Sequence, residues 1–156
     1  MHFHHREGLE TVAALGIPDA VVLVSGEAAV ARGLRPRHPE GDFDIVTTLQ
    51  GNLYLEEKLG FQAVRQVIMT GPERSITARI GGPKNKIESH RWAFSRARYL
   101  AMGKGRIYID ELLELSDQDD ETSIYVLNKA GLLLQKDKTG RPKDEEDVRL
   151  IREQDD

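Results

Sequence analysis

The stretch Val21 to Thr48, VVLVSGEAAVARGLRPRHPEGDFDIVTT, constrains this chain more than any other. Val21-Val22-Leu23-Val24 is an apolar run rich in β-branched residues, and it stops at Ser25-Gly26. A helix is expected from Glu27 to Arg32, ended by Gly33. Pro36, Pro39 and Gly41 then impose loop structure. GDFDIVTT opens a second strand in which Asp42 and Asp44 stand two residues apart. Side chains at that spacing leave the same face of a strand, so the two carboxylates are expected to aim at one place.

Two carboxylates aimed at one point raise each other's proton affinity unless positive charge lies between them. A divalent cation meets that need, and a small set of aspartate oxygens suits Mg2+, which keeps its waters and is shared with substrate phosphates. Upstream, the Ser25-Gly26 turn presents backbone N–H groups, and Gly26 lets an anion come close. One half of the stretch is therefore expected to receive phosphate and the other to hold the metal that neutralises it.

The remaining chain supplies a setting for these two halves. At 156 residues it is expected to be a single domain, 1–156, large enough to bury a core without disulfides. The absence of cysteine excludes thiolate metal sites and cysteine nucleophiles and fits a reducing compartment, so a cytoplasmic location is the expectation. Apolar runs are only a few residues long, and no membrane segment or secretory signal is expected. Lys and Arg total 22 against 26 Asp and Glu, a balance that does not mark a general nucleic-acid binder. The charge is nonetheless uneven: seven bases and one acid lie between Lys84 and Arg106, and seven acids and no base between Asp110 and Glu121.

In chain order, a short N-terminal helix within 1–20 is expected from Arg6 to Leu15, with Leu9, Val12 and Ala13 on its inner face and Gly16 as its stop. His2, His4 and His5 could ligate a metal, but a terminal position argues for a mobile segment. A helix is expected from Asn52 to Leu59. Phe61 to Thr70 and Ser75 to Ile80 read as a hairpin around Gly71-Pro72-Glu73-Arg74. Asn85-Lys86-Ile87-Glu88 has capping-box spacing, so 84–106 is expected to be a basic helical insertion running to Met102. Arg91, Arg96 and Arg98 are interleaved there with Trp92, Phe94 and Tyr99, a mixture able to meet an RNA or protein acceptor. The same residues also fit an ordinary amphipathic helix.

Arg106 to Asp110 reads as a strand, Ser116 to Thr122 as a polar loop, and 123–156 as a strand followed by helices. In that last segment Asn128 caps a helix from Lys129 to Lys136, and a final helix begins near Asp144. Strands interspersed with helices imply an α/β (α+β) fold, a mixed β-sheet flanked by helices.

The order of strand, Ser25-Gly26 turn, helix, Arg35 or Arg37 in the loop, and Asp42-x-Asp44 on the next strand resembles the nucleotidyltransferase superfamily related to DNA polymerase beta. The likeness is strongest to its small bacterial and archaeal members and its abortive-infection toxin-like members. The C-terminal stretch SIYVLNKAGLLLQKDKTGRPKDEEDVRLI, with Lys136, Arg141, Lys143, Asp144 and Asp147, is similar to the closing segment of the same proteins. The turn departs from the family in reading Ser-Gly where those proteins carry Gly-Gly or Gly-Ser, and Glu27 follows it directly.

The resemblance implies a nucleotidyltransferase-like fold and Mg2+-dependent transfer of a nucleotidyl group from a nucleoside triphosphate such as ATP to an acceptor hydroxyl on RNA, protein or a small molecule. It makes Asp42 and Asp44 catalytic and metal-binding. It calls for a third carboxylate on a neighbouring strand, for which Asp110 is the candidate, and assigns Ser25, Gly26, Arg37 and Lys136 to nucleotide binding. A homodimer or partner subunit would complete so small an enzyme. The alternative is a catalytically inactive protein of the same fold that serves as a binding or antitoxin-like partner.

Overall fold

The computed structural model describes residues 1–36, 43–58, 64–70, 73–80, 94–97, 99–102, 105–137 and 142–153. Its helices are α1 (Glu7–Ala13), α2 (Ser25–Ala31), α3 (Leu49–Glu57), α4 (Ile109–Glu114), α5 (Lys129–Asp137) and α6 (Pro142–Glu153). Its strands are β1 (Val21–Leu23), β2 (Phe43–Thr47), β3 (Val64–Thr70), β4 (Glu73–Ile80), β5 (Phe94–Ala97), β6 (Tyr99–Met102), β7 (Gly105–Tyr108), β8 (Ser116–Gln118) and β9 (Tyr125–Leu127).

The protein is mixed α/β. Among the described residues seven strands pair in the order β3-β4-β5-β2-β1-β9-β8, while β6 and β7 form a separate antiparallel pair. β1 lies antiparallel to β2 and parallel to β9, and β2 lies parallel to β5. All three residues of β1 are buried, as befits a central strand covered on both faces. Val22, Leu23, Val126 and Leu127 have no exposed surface and form the middle of the core, with Leu9, Ala28, Leu55, Leu112 and Leu132 supplied by the helices.

Local chemistry sets several boundaries. Gly16 and Gly33, at φ +66° and +71°, end the turns after α1 and α2 in the conformation that glycine adopts most readily. The Thr48 hydroxyl accepts the Gly51 N–H at 3.0 Å and starts α3 at Leu49, earlier than the expected Asn52. Asn128 Oδ1 accepts the Gly131 N–H at 2.8 Å, as expected of a cap for α5. Pro142 opens α6, where its missing N–H costs nothing. β3 and β4 form the expected antiparallel pair, with Thr70 opposite Glu73. Gly71 and Pro72 of its turn lie outside the described residues.

Other expectations are corrected. Within the supposed basic helix 84–106, Phe94–Ala97, Tyr99–Met102 and Gly105–Tyr108 are strands, while the capping-box residues 85–88 lie outside the described residues. β5 occupies the place between β4 and β2, so Arg96 faces Ala78 on one side and Ile45 on the other in the strand register. Pairing on both sides overrides the helix preference of the segment. The strand expected to reach Asp110 ends at Tyr108, and Asp110 and Glu111 instead stand in the first turn of α4, where acids complement the positive end of a helix. Ser116–Gln118 is not loop but a short polar edge strand. In α1 the buried residues are Gly8, Leu9, Thr11 and Val12, while Ala13 is exposed.

The N-terminal segment is docked. The Asp120 N–H donates to the Met1 carbonyl at 3.0 Å, Phe3 is 3% exposed, and Arg6 clamps Asp119 with Nη1–Oδ1 and Nη2–Oδ2 distances of 2.8 and 2.9 Å. Thr122 adds its N–H and hydroxyl to Asp119 Oδ2 at 2.9 and 2.6 Å. The Arg6 guanidinium holds the Asp119 carboxyl well below the usual carboxylate range, with Thr122 helping and burial opposing. Asp119 in turn raises the Arg6 pKa above its ordinary value. The pair spans 113 positions in sequence and closes the tip between β8 and β9 over the N-terminal segment.

Candidate functional site

The site grows from the end of β1. Val24 continues the extended backbone at φ −126°, and the next residue, Ser25, turns to φ +54°. A left-handed serine is uncommon, because its Cβ crowds the backbone there. The chain then enters α2, whose first helical bond joins the Ala28 N–H to the Val24 carbonyl at 3.4 Å.

β2 runs alongside in the opposite direction, with Leu23 opposite Ile45. Beyond that pair the Val24 N–H donates to the Asp44 carbonyl at 3.3 Å. The small-residue turn and the aspartate strand, separate in sequence, therefore meet at one end of the sheet. Neither protein-family models nor curated proteins show a match to this chain.

Asp44 is half-buried, in strand register with Ser95 of β5. Its partial exposure and hard oxygen donors fit a cation that keeps water ligands. Asp42, the other member of the expected pair, and Arg37 lie outside the described residues. Among the described residues no three His, Asp or Glu side chains group into a formed metal cage.

Arg35 is the guanidinium that reaches the turn. A Cβ built on Gly26 would lie 2.5 Å from Arg35 Nη2 and 3.3 Å from its Cζ, so the missing side chain makes room for the arginine. The route back to the turn is set at the other end of α2. The Gly33 N–H donates to the Val30 carbonyl and the Leu34 N–H to the Ala29 carbonyl, both at 2.9 Å, which is a Schellman reversal with glycine at its left-handed position. Leu34 and Ala29, both buried, supply its apolar contact. The Gly33 stop marks the end of the helix, and the reversal it produces leads the chain back so that Arg35 reaches the turn.

Glu27, the acid directly after the turn, is 6% exposed and lies among α2's buried residues. Asp110 is exposed on α4. It is not on a strand beside β2, whose sheet neighbours are β1 and β5. Lys136 lies in the last turn of α5. The structure thus brings together Ser25, Gly26, Asp44 and Arg35; the sequence assigns Arg37 rather than Arg35 to nucleotide binding, and Arg37 lies outside the described residues.

Proposed function

We propose that this protein is a Mg2+-dependent nucleotidyltransferase of the DNA polymerase beta type. The observation that carries the reading is the Val24–Asp44 backbone bond, which sets the Ser25-Gly26 turn beside the acidic strand. Two further features support it. Ser25 keeps a positive φ at the position where the resembling family carries glycine, and Arg35 brings a permanent positive charge to the turn.

In this reading the backbone of Ser25 and Gly26 and the guanidinium of Arg35 bind and orient the triphosphate of a nucleotide such as ATP. Asp44, with Asp42, would hold Mg2+, which supplies Lewis-acid stabilisation of charge on the phosphoryl oxygens. An acceptor oxygen bonds to the α-phosphorus as the bond to the bridging oxygen breaks, and pyrophosphate departs. The acceptor's proton passes to solvent. Charge-assisted hydrogen bonds from the guanidinium strengthen as negative charge builds on the leaving group.

The test is incubation of the protein with labelled nucleoside triphosphates, Mg2+ and candidate RNA, protein and small-molecule acceptors. Label transfer that is lost in Asp42→Asn and Asp44→Asn supports the reading, and transfer unchanged in both overturns it. A second reading, an inactive protein of this fold that binds a partner, is favoured by one observation. Among the described residues neither β1 nor β5, the strands flanking β2, carries an acid. Calorimetry separates the two, because the inactive reading expects no binding of any Mg2+–nucleotide.

A further inference from the structure

We propose that Arg32 is a positioning residue for this site, transmitting the docking of the N-terminal segment Met1 to Arg6 to the guanidinium of Arg35. The inference rests on the reading above in assigning Arg35 to phosphate.

Arg32 is the C-cap of α2, and its side chain is 9% exposed. Its Nε donates to the Leu127 carbonyl at 2.7 Å, and its Nη2 donates to the Val126 carbonyl at 3.0 Å and to Asp117 Oδ2 at 2.7 Å. Its Cζ stands 5.3 Å over the ring of buried Phe3. One planar group thereby joins the end of β9, the edge strand β8, the N-terminal segment and the C-terminus of α2.

The residue after Arg32 is Gly33, where the chain reverses toward Arg35. The N-terminal segment packs on this residue too: a Cβ on Gly33 would meet His5 Nε2 at 2.8 Å. Phe3 under Arg32 and His5 against Gly33 therefore hold the two consecutive residues that turn the chain. The Arg6–Asp119 clamp keeps the segment in place, and Arg6 Nη1 also donates to the Phe3 carbonyl at 3.1 Å. Because the Schellman bonds make the reversal stiff, a shift at Arg32 moves the base of the Arg35 side chain relative to Gly26. Asp44 is tied to the other side of the same turn, so the distance between guanidinium and carboxylate depends on that anchorage.

A lysine at this position preserves the charge but replaces a rigid fork with a single flexible ammonium, which cannot serve the two carbonyls and Asp117 in the same geometry. Arg32→Lys therefore separates anchorage from charge. The experiment follows the Gly26 amide by 15N–1H NMR in the ligand-free full chain, and Mg2+–ATP and inorganic triphosphate binding by calorimetry. It compares Arg35→Gln, Arg32→Lys, Phe3→Ala and the Arg32→Lys/Arg35→Gln pair, with thermal melts as the folding control.

The expected result is that Arg32→Lys and Phe3→Ala move the Gly26 resonance in the sense that Arg35→Gln does, and that Arg32→Lys adds almost nothing to Arg35→Gln. Triphosphate affinity falls roughly tenfold in Arg35→Gln, the loss of a charge-assisted hydrogen bond. It falls severalfold in Arg32→Lys, with no further fall in the pair. A folded Arg32→Lys that leaves the Gly26 resonance unmoved, or effects that simply add, would overturn the positioning role. If the unaltered protein binds no triphosphate, the nucleotide reading fails by itself, and the Gly26 resonances still decide the coupling. Should Arg32→Lys not fold, Phe3→Leu is judged by the same criteria.

Discussion

The N–H of Val24 donates to the carbonyl of Asp44 across 3.3 Å, fastening the residue after β1 to the second residue of β2. The bond uses only backbone atoms, so it survives any change of the Asp44 side chain. The position of the carboxylate can therefore be separated from its charge.

Asp44→Asn keeps the side chain's shape and the backbone bond while removing the negative charge. Its melting temperature should stay close to that of the unaltered protein, and on the proposed function Mg2+-dependent nucleotidyl transfer should drop by about a hundredfold or more, as when metal-borne charge stabilisation is lost. Steady-state turnover measured beside a thermal melt checks both halves.

Gly26→Ala tests the packing at the turn. The new methyl group would meet only the far end of the flexible Arg35 side chain, which can swing aside. Stability should change by less than about 1 kcal/mol, while triphosphate affinity should fall roughly tenfold as the guanidinium leaves the turn. Denaturant midpoint and calorimetry give the two numbers. A large stability loss with unchanged affinity would contradict the geometry.

Asp119→Ala should destabilise the fold, because it removes the bidentate partner of Arg6 and leaves it only the more exposed Glu121 and Glu10. The pH dependence has a definite sign. The folded-state pKa of Asp119 lies below its unfolded value, so its contribution is fully present above the ordinary carboxylate value near 3.9 and is lost as pH falls toward the depressed one. Denaturant stability of the two proteins should differ by a constant amount from pH 7 to about pH 5, with the gap closing only in stronger acid.

Thr48→Ala removes the hydroxyl that caps α3 and should cost about 1 kcal/mol. The Thr48 hydroxyl also donates to Asp19 Oδ2 at 2.6 Å and is the main cause of that carboxyl's lowered pKa, with the Ala20 N–H second. In the variant the Asp19 pKa should rise toward the ordinary carboxylate value, observable by NMR titration.

Sequence reasoning reached the features whose causes lie within a few residues of one another. The apolar run at Val21, the stops at Gly16 and Gly33, the Asn128 cap and the β3–β4 hairpin each depend on local backbone preference or on a side chain reaching a nearby N–H. Thr48 belongs to the same class, since a threonine before Leu49 is an ordinary cap signal. The residues around Phe94 and Tyr99 were different. Their aromatic and basic composition suits a helix or a strand, and pairing with β4 and β2 on one side of Arg98 and with β7 on the other decides for strand.

The sequence by itself determined that an apolar strand leads through a small-residue turn into a short helix, and that an acidic strand follows. Backbone preferences and the β-branched run are enough for that. Only the tertiary structure decided what surrounds the turn. It ties Asp44 to Val24, lays Arg35 over Gly26, puts Asp110 on a helix and docks Arg6 on Asp119. The physical reason is distance along the chain: Arg32 meets Val126 and Asp117, and Arg6 meets Asp119, only after the sheet has brought together segments 85 to 113 positions apart.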